Sequence, residues 1–180
     1  TNAGFIATQL RLAGVAVSSI SVVGDNRTQL SAVLREALQR SSLIITSGGL
    51  GPTADDITRE CIAEALGETL SVDSRLEAQL RAFFKSVGRE MPASNLKQAS
   101  LIPSASPIRN SRGTAPGWWV ENAEKLIIAL PGPPRELTAM WFDAVGPRLA
   151  PRLPDSGIAT RTVKTCGLSE AGVSDAVKDF

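Results

Sequence analysis

The sequence contains no histidine, and this absence narrows the chemistry that is open to the protein. Its 180 residues also include no tyrosine, and only 4% of them are aromatic. Without histidine there can be no Ser-His-Asp triad, no imidazole general base and no zinc bound through imidazole. Catalysis must therefore use carboxylates, hydroxyls, lysine or arginine, backbone dipoles, or a metal ion bound by oxygen ligands. Hard cations such as Mg²⁺ or Mn²⁺ suit that set of ligands.

Other absences exclude further classes of partner. The 19 basic and 18 acidic residues are interspersed and no basic run occurs, so we expect no nucleic acid as a partner. No apolar run approaches the ~20 residues that span a bilayer, and no secretory signal pattern is present, so we expect no membrane partner. Cys61 and Cys166 are far apart and are expected to be buried free thiols, which is consistent with a reducing cytoplasm.

The pattern of apolar residues predicts an α/β domain in the first third of the chain. Helical spacing predicts helices over 3–13, from Leu30 to Leu38 and from about 55 to 66. Runs of β-branched or apolar residues predict strands over 15–23 and 43–46. This alternation favours a mostly parallel sheet with helices on both faces, in which ligands bind beyond the carboxyl ends of the strands.

The remaining two thirds combine helix and strand patterns. In chain order, they predict a helix over 74–87, one or two helical turns over 93–99, a loop over 103–117, antiparallel strands over 118–120 and 125–130, a helix from Leu137 to Val145, a strand over 160–165 and a helix over 168–177. Prolines and a glycine between 147 and 157 indicate a domain boundary. Because strand side chains alternate, one of Trp118 and Trp119 is expected in the core, and a subunit contact or ligand stacking is left open for the other.

Residues 43–59, LIITSGGLGPTADDITR, combine a buried strand, a Gly-rich turn and a helix start. Unpaired backbone N–H groups and the positive end of the helix dipole converge there, which predicts an anion site. The adjacent carboxylates of Asp55 and Asp56 would repel a bare phosphate, and a metal ion between them and the phosphate would resolve that conflict. A structural alternative remains open, because Thr53-x-x-Asp56 is also a capping-box-like pattern. Likewise, Asp25 or Asn26 is placed to cap the helix that follows.

Four segments, in this order and spacing, resemble one known family: SGGLGPTADDITRE, NLKQA, RNSRGTAPG and LPGPPRELTAMW. They are similar to the amino-terminal domain of the CinA competence/damage-inducible proteins. The resemblance implies a three-layer molybdopterin-binding fold over 1–155, a homo-oligomer (dimer or trimer) and hydrolysis of the pyrophosphate of ADP-ribose with Mg²⁺, Mn²⁺ or Co²⁺. It also implies that the family's usual first strand is missing here, and that 156–180 is the truncated start of a small α+β domain.

The resemblance also assigns roles to individual residues. Asp56 matches the acid that ends the Gly-rich motif in molybdopterin adenylyltransferases, and Asp25 matches their second functional aspartate. Asp25, Asp55 and Asp56 are therefore expected to be catalytic, with Asp55 and Asp56 as metal ligands. The expected ligand-binding residues are Ser47, Gly48, Gly49, Gly51, Pro52, Thr53, Lys97, Gly113, Thr114, Ala115, Pro116, Gly117, Pro131, Gly132, Pro133 and Glu136. Asn95 and Gln98 also match positions typical of the family.

Structural roles compete with several of these assignments. Residues 113–117 would serve only as a tight turn. Residues 130–134 would connect a strand to a helix, with Glu136 as a favourable acid in the first turn of that helix. Lys97 would be a solvated surface residue. Three functional hypotheses follow. The first is metal-dependent hydrolysis of a nucleotide pyrophosphate, the second is a molybdopterin-binding protein or adenylyltransferase of molybdenum cofactor synthesis, and the third is a non-catalytic ligand-binding or oligomerising module.

Overall fold

The computed structural model of the protein describes residues 1–153 and 164–178. The helices are α1 (Asn2–Leu12), α2 (Arg27–Arg40), α3 (Thr58–Leu66), α4 (Ser74–Ser86), α5 (Pro134–Met140), α6 (Gly146–Leu149) and α7 (Glu170–Ala176). The strands are β1 (Leu43–Ser47), β2 (Ser71–Val72), β3 (Ser100–Leu101), β4 (Ala105–Ile108), β5 (Gly117–Asn122) and β6 (Lys125–Leu130). A 3-10 helix spans Ala93–Ala99, and a π-helical turn, Trp141–Val145, joins α5 to α6.

The main sheet has the strand order β1-β6-β5-β4 and is mixed. β1 pairs with β6 in parallel, with Leu43 opposite Leu126 and Ser47 opposite Leu130, whereas β6 with β5 and β5 with β4 are antiparallel. The predicted α/β class and the antiparallel pair near 118–130 are confirmed. The predicted excess of parallel pairing is corrected, because it depended on a strand over 15–23 that does not form.

Helices cover both faces of this sheet, which gives the predicted three layers. On one face, Ile6 and Leu10 of α1 pack with residues of α5, α6 and the sheet, including Trp119 and Ile128. On the other face, α2 and α3 pack over Trp118, Val120 and Ile127. Trp118 and Trp119 do alternate, but both are buried, at 0% and 1% exposure. The alternative of a subunit contact or ligand for the second tryptophan is therefore not realised, since each face of the sheet has its own core.

Residues 15–23 do not form the predicted strand. Val15 packs against the α1 core, but Ile20 and Val22 are 59% and 96% exposed. No strand in the described part of the chain pairs with this segment. β-branched residues favour strands because they fit a paired, half-buried pleated surface, so their preference has no effect where that surface is absent.

Three short strands were missed by sequence patterns. β4 lies inside the segment predicted as a loop over 103–117, and it contains Pro107, opposite Trp118. Proline is tolerated there because β4 is at the edge of the sheet. β2 and β3 have two residues each and pair as a separate antiparallel ladder, which is too short for any periodic signal.

The predictions for the last part of the chain have mixed outcomes. The helix predicted over 168–177 is confirmed as α7, with Ser169 as its N-cap. Most of the strand predicted over 160–165 lies outside the described residues, and the division into two domains stays a prediction.

Cys61 is a buried free thiol as expected, and burial raises its pKa. Cys166 is exposed, contrary to expectation. No helix within the described ranges is both long and apolar enough to cross a bilayer.

Gly117, the first residue of β5, is expected to tolerate no larger side chain. A Cβ at this position would lie 2.7 Å from both the Ala129 carbonyl oxygen and Met140 Cε. Gly117→Ala should therefore lower the free energy of unfolding by about 1–3 kcal/mol, measured by urea denaturation. Gly24→Ala is the matched control, because nothing lies within 4 Å of a Cβ at Gly24. Equal stabilities of the two variants would contradict the prediction.

Candidate functional site

The Gly-rich turn joins the end of β1 to the start of α3 and is held against that helix. Gly48 and Gly49 have φ angles of +104° and +68°, which other residues rarely adopt. The Thr58 hydroxyl donates to the Gly48 carbonyl (2.8 Å), and the Thr58 N–H donates to the Gly49 carbonyl (3.1 Å). Helix α3 begins at Thr58 and not near residue 55, because residues 53–56 form a separate turn.

Several backbone donors of this turn are already engaged within the protein. The Gly48 N–H donates to the Leu130 carbonyl (2.9 Å) and the Thr53 N–H donates to Asp56 (2.9 Å), while the Gly51 N–H is close enough to the Asp56 carboxylate to help lower its pKa. Pro52 has no N–H. In the portion of the chain that the structure describes, no hydrogen bond engages the N–H of Gly49 or Leu50. Leu50 is buried, at 1% exposure, so Gly49 is the unengaged backbone donor of this turn that a ligand can reach.

Asp56 holds the turn together through its carboxylate. Its Oδ2 accepts hydrogen bonds from the Thr53 hydroxyl (2.6 Å) and the Thr53 N–H (2.9 Å). A Cβ at Gly51 would overlap this carboxylate. Burial raises the pKa of Asp56, but hydrogen bonds from Thr53 and Gly51, together with the charge of Lys97, outweigh burial and leave the pKa lowered. The capping-box pattern of Thr53 and Asp56 is therefore present in part. The Asp56 carboxylate accepts the Thr53 N–H, as the pattern predicts, but this pair does not cap helix α3.

Asp25 has no such structural task. The N-cap of α2 is Asn26, whose Oδ1 accepts a hydrogen bond from the Gln29 N–H (3.0 Å). Asp25 is exposed, and its carboxylate accepts no hydrogen bond from the residues that the structure describes. Capping, the main alternative for Asp25, is thus performed by its neighbour. Asp55 is likewise exposed.

A cleft of about 710 Å³ is shared by Asp25 and the first residues of the Gly-rich turn, whereas residues 50–56, with Asp55 and Asp56, do not line it. It lies between residues 15–25, helices α1 and α2, and strand β1, and it is lined by Asp25, Ser47, Gly48 and Gly49. Asp25 reaches this cleft from a segment that is not a strand of the sheet, because residues 15–23 do not pair. The volume falls in the range of small-molecule sites.

Charged residues behind the turn form a second group. Lys97 pairs with Glu60 (3.1 Å) and donates to the Thr53 carbonyl (3.2 Å), so it anchors the turn and is not a free surface lysine. Arg59 is fully buried next to Asp56, and no residue within the described ranges hydrogen-bonds its guanidinium. Burial lowers the pKa of Arg59 to about 10, against the opposing charges of Glu60 and Asp56, so it stays protonated at neutral pH. Sequence reasoning missed Arg59, whose only signal was its position three residues after Asp56.

The loop 113–117 is organised by an asparagine that was also not predicted. Asn110 Nδ2 donates to the Ala115 carbonyl (2.9 Å) and to Glu136 Oε2 (2.6 Å). A Cβ at Gly113 would overlap the Glu136 carboxylate. Gly113, Thr114 and Pro116 line a second cleft, whereas packing in the core accounts for Ala115 and Gly117.

The segment 131–134 reaches the Gly-rich turn directly. A Cβ at Gly132 would lie 3.5 Å from Gly48 Cα, and Asn2 Nδ2 donates both to Ser47 Oγ (2.8 Å) and to the Gly132 carbonyl (2.7 Å). Pro131 is buried and Pro133 is exposed before α5, whose first turn contains Glu136. Residues 131–134 therefore connect strand β6 to helix α5, as the structural alternative predicted, and they also contact the Gly-rich turn. Asn95 and Gln98 form a buried hydrogen-bonded pair (2.9 Å), away from any cleft that we describe.

The acidic residues fit a divalent cation only in part. No group of three or more Asp, Glu, Cys or His side chains capable of holding a metal occurs among residues 1–153 and 164–178. Mg²⁺, however, is often bound by one or two carboxylates together with substrate phosphates. Asp55 and Asp56 fit such an arrangement, because Asp55 is exposed and both bonds from Thr53 go to a single oxygen of Asp56.

The lowered pKa of Asp56 predicts a pH-dependent contribution to stability. Because the folded-state pKa lies below the ordinary 3.8, this contribution is present above pH 3.8 and is lost as pH falls through the folded-state pKa. Asp56→Ala should cost about 1–2 kcal/mol in free energy of unfolding near pH 6, and this difference from wild type should shrink below pH 3.8. Urea denaturation across pH 2.5–7 would measure it. Asp55→Ala is the control, with a small difference expected throughout, and a pH-independent difference for Asp56→Ala would contradict the assignment.

Comparisons with known proteins agree with this architecture. A family model described as a probable molybdopterin binding domain matches residues 1–151. A CinA-like protein from Thermomicrobium roseum is 45% identical over 180 residues, covering 100% of this chain and 44% of the relative. One from Deinococcus radiodurans is 47% identical over 184 residues, covering 100% of this chain and 45% of the relative. The chain thus spans less than half the length of these curated relatives.

Two solved structures show the same fold. The protein CinA from Thermoplasma acidophilum, whose function is described as unknown, has a TM-score of 0.75 and 36% sequence identity, covering 82% of this chain and 87% of that one. The molybdopterin biosynthesis enzyme MoaB from Thermus thermophilus has a TM-score of 0.52 and 26% identity, covering 83% of this chain and 79% of that one. In both comparisons the similarity therefore covers more than four fifths of this chain.

Proposed function

This chain belongs to the family of probable molybdopterin binding domains, and within it to the CinA-like proteins, and from that premise we propose that it hydrolyses a nucleotide pyrophosphate such as ADP-ribose. The observation that carries the proposal is the cleft in which the Gly-rich turn faces the exposed Asp25. Water would attack one phosphorus of the pyrophosphate, and the bond from that phosphorus to the bridging oxygen would break. From ADP-ribose the products are AMP and ribose 5-phosphate.

The residues of the turn would bind the pyrophosphate. The Gly49 N–H, on the lining of the cleft, would donate to its oxygens, as backbone donors do in other phosphate sites. The positive end of α3 and the buried Arg59 add favourable potential for an anion. Asp56 and Lys97 hold the turn in this shape.

Asp25 would orient the attacking water and accept its proton. A carboxylate is a weak base at neutral pH, so this group alone gives slow hydrolysis. A divalent cation, held by Asp55 and Asp56 together with the substrate's phosphates, would supply charge neutralisation of the pyrophosphate and activation of the water.

We also propose that the protein is a homo-oligomer, a dimer or trimer, and that it acts in the cytoplasm. Light scattering on the purified chain would test the oligomeric state.

A second candidate function is binding or adenylylation of molybdopterin. It is favoured by the family model that matches residues 1–151 and by the fold shared with the molybdopterin biosynthesis enzyme MoaB. The same turn would serve both functions, because each ligand carries phosphate.

The test supplies the purified chain with ADP-ribose and Mg²⁺, Mn²⁺ or Co²⁺, and separates AMP from substrate by chromatography. We expect AMP and ribose 5-phosphate in equal amounts, loss of activity with EDTA, and a strong reduction in Asp56→Ala. Absence of AMP with every cation, together with binding of molybdopterin, would favour the second function. Absence of both would leave the third hypothesis, a non-catalytic module.

A further inference from the structure

Asn2 is the first residue of helix α1, and its side chain reaches two other segments next to the cleft that contains Asp25. Asn2 Nδ2 donates one hydrogen bond to Ser47 Oγ at the end of β1 (2.8 Å) and another to the Gly132 carbonyl after β6 (2.7 Å). The amide therefore joins three segments that are distant in sequence. The hydrolysis proposed above gives this amide no role.

Helix capping does not account for the side chain of Asn2. Thr1 is the N-cap of α1, and its hydroxyl oxygen accepts the Gly4 N–H (3.4 Å). Helix α1 is itself anchored by Ile6 and Leu10, which are buried in the core on one face of the sheet. The Asn2 amide is thus fixed in place by an anchored helix, while both of its hydrogen bonds go to other segments.

These bonds continue the contact between β1 and β6 beyond the end of their ladder. The parallel pairing ends with Ser47 opposite Leu130. Pro131 follows and has no N–H to donate to a longer ladder. Side chains bind the next two carbonyls instead, since Ser47 Oγ donates to Pro131 (3.4 Å) and Asn2 donates to Gly132. The connector 131–134 is thereby held against the Gly-rich turn where main-chain pairing has stopped.

The cleft begins at this point of the chain. Gly48 and Gly49 follow Ser47 and line the cleft, and a Cβ at Gly132 would lie 3.5 Å from Gly48 Cα. The Gly49 N–H is the donor assigned above to the pyrophosphate. A shift of Ser47 or Gly132 would therefore move this donor relative to Asp25. Misplacing reacting groups by about 1 Å can lower a rate by 100-fold.

We propose that Asn2 is a positioning residue for this hydrolysis. It holds the Gly-rich turn and the connector 131–134 in the relative position that directs the Gly49 N–H at the pyrophosphate. Both N–H groups of its amide are used within the protein, so the amide has no donor left for the ligand. The inference rests on the proposed function, because it gives Asn2 a task in the same reaction.

Steady-state hydrolysis of ADP-ribose by the 180-residue chain tests this role. Asn2→Ala should lower kcat by about 10- to 100-fold and change KM by less than about threefold, because the two bonds set geometry and do not bind the ligand. Asn2→Asp keeps the shape of the side chain but places a carboxylate oxygen opposite the Gly132 carbonyl, so it should be no more active than Asn2→Ala.

Asn122→Ala is the matched control for these variants. Asn122 is half-buried, as Asn2 is, and its Nδ2 donates to Glu68 Oε1 (3.1 Å). It lines neither of the clefts described above, so Asn122→Ala loses a hydrogen bond of the same kind elsewhere in the fold. This variant should keep the wild-type kcat.

Amide hydrogen exchange followed by NMR measures the effect of Asn2 on the turn without any ligand. The Gly48 N–H donates to the Leu130 carbonyl, and this bond should open more often when the turn and the connector are no longer tied together. Its exchange should be about tenfold faster in Asn2→Ala, as expected for losing about one net hydrogen bond, and unchanged in Asn122→Ala.

The two measurements separate failure of this inference from failure of the proposed function. If the wild type forms no AMP, the proposed function fails, and exchange at Gly48 then decides alone whether Asn2 fixes the turn. With an active wild type, three results would each overturn the role of Asn2: wild-type kcat in Asn2→Ala or Asn2→Asp, an equal loss of kcat in Asn122→Ala, or unchanged exchange of the Gly48 N–H in Asn2→Ala.

Discussion

Replacing Asp25 with asparagine is expected to lower the rate of ADP-ribose hydrolysis by about 100-fold or more, the usual contribution of a positioned general base. Asp25 is exposed in the same cleft as Ser47, Gly48 and Gly49, and Asn26 already caps helix α2. The substitution keeps the size of the side chain and removes only its charge and its basicity. Stability should therefore change little while the rate falls, and steady-state AMP production beside urea denaturation would measure both.

Two matched variants show whether the effect belongs to Asp25. Asp143→Asn removes another exposed carboxylate, between α5 and α6 and outside the cleft, and should hydrolyse ADP-ribose at the wild-type rate. Asp55→Asn removes a predicted cation ligand, so its loss of rate should be partly recovered at a higher concentration of Mg²⁺, whereas the loss in Asp25→Asn should not. If Asp25→Asn were as active as Asp143→Asn, Asp25 would have no part in the reaction.

Helices and strands were predicted well where their own residues carry the signal, either a regular apolar spacing or glycine and turn residues at the ends. Helices α1 and α4 and the strand pair β5–β6 were found close to their actual bounds, because apolar spacing and glycine or turn residues mark them. The stretch from β1 to α3 was also recognised, although α3 begins at Thr58 and not near 55. Its start was misplaced because Asp56 bonds back to Thr53 and closes a separate turn first.

Features that depend on contacts with residues distant in sequence could not be predicted from the local residue pattern. Residues 15–23 have strand composition but no pairing strand among the described residues, and Trp119 is buried because α5 and α6 cover a face that the strand itself does not specify. The roles of Asn2 and Asn110 arise from contacts across 130 and 26 residues of sequence. Neither asparagine differs locally from an ordinary polar surface residue.

The same limit applies to the candidate site. The acids Asp25 and Asp56 were both proposed as helix caps or as functional groups, and sequence alone left the two readings open. The structure separates them, because Asn26 caps α2 while the Asp56 carboxylate is engaged by Thr53. Whether an aspartate caps a helix depends on which neighbouring side chain accepts the backbone N–H. That depends on the three-dimensional positions of the side chains, which residue spacing in the sequence does not specify.

Gly49→Ala is expected to be the most damaging single change to the turn, lowering the free energy of unfolding by about 3 kcal/mol. Gly49 has φ +68°, which costs alanine about 1–2 kcal/mol. The added Cβ would also overlap the Thr58 hydroxyl and lie 3.2 Å from Thr58 Cβ. Thr58 is buried, and its hydroxyl cannot turn away without losing its bond to the Gly48 carbonyl.

Gly67→Ala separates the two contributions, because Gly67 also has φ +68° but nothing lies within 4 Å of its Cβ. It should cost only the conformational part, about 1–2 kcal/mol. The excess in Gly49→Ala then measures the contact with Thr58, and the double variant Gly49→Ala/Thr58→Ala should recover part of that excess. Equal losses for Gly49→Ala and Gly67→Ala, with no coupling to Thr58→Ala, would show that Thr58 does not shape the turn. With the coupling present, pyrophosphate affinity should fall in Gly49→Ala and stay at the wild-type value in Gly67→Ala, because only the former displaces the Gly49 N–H that lines the cleft.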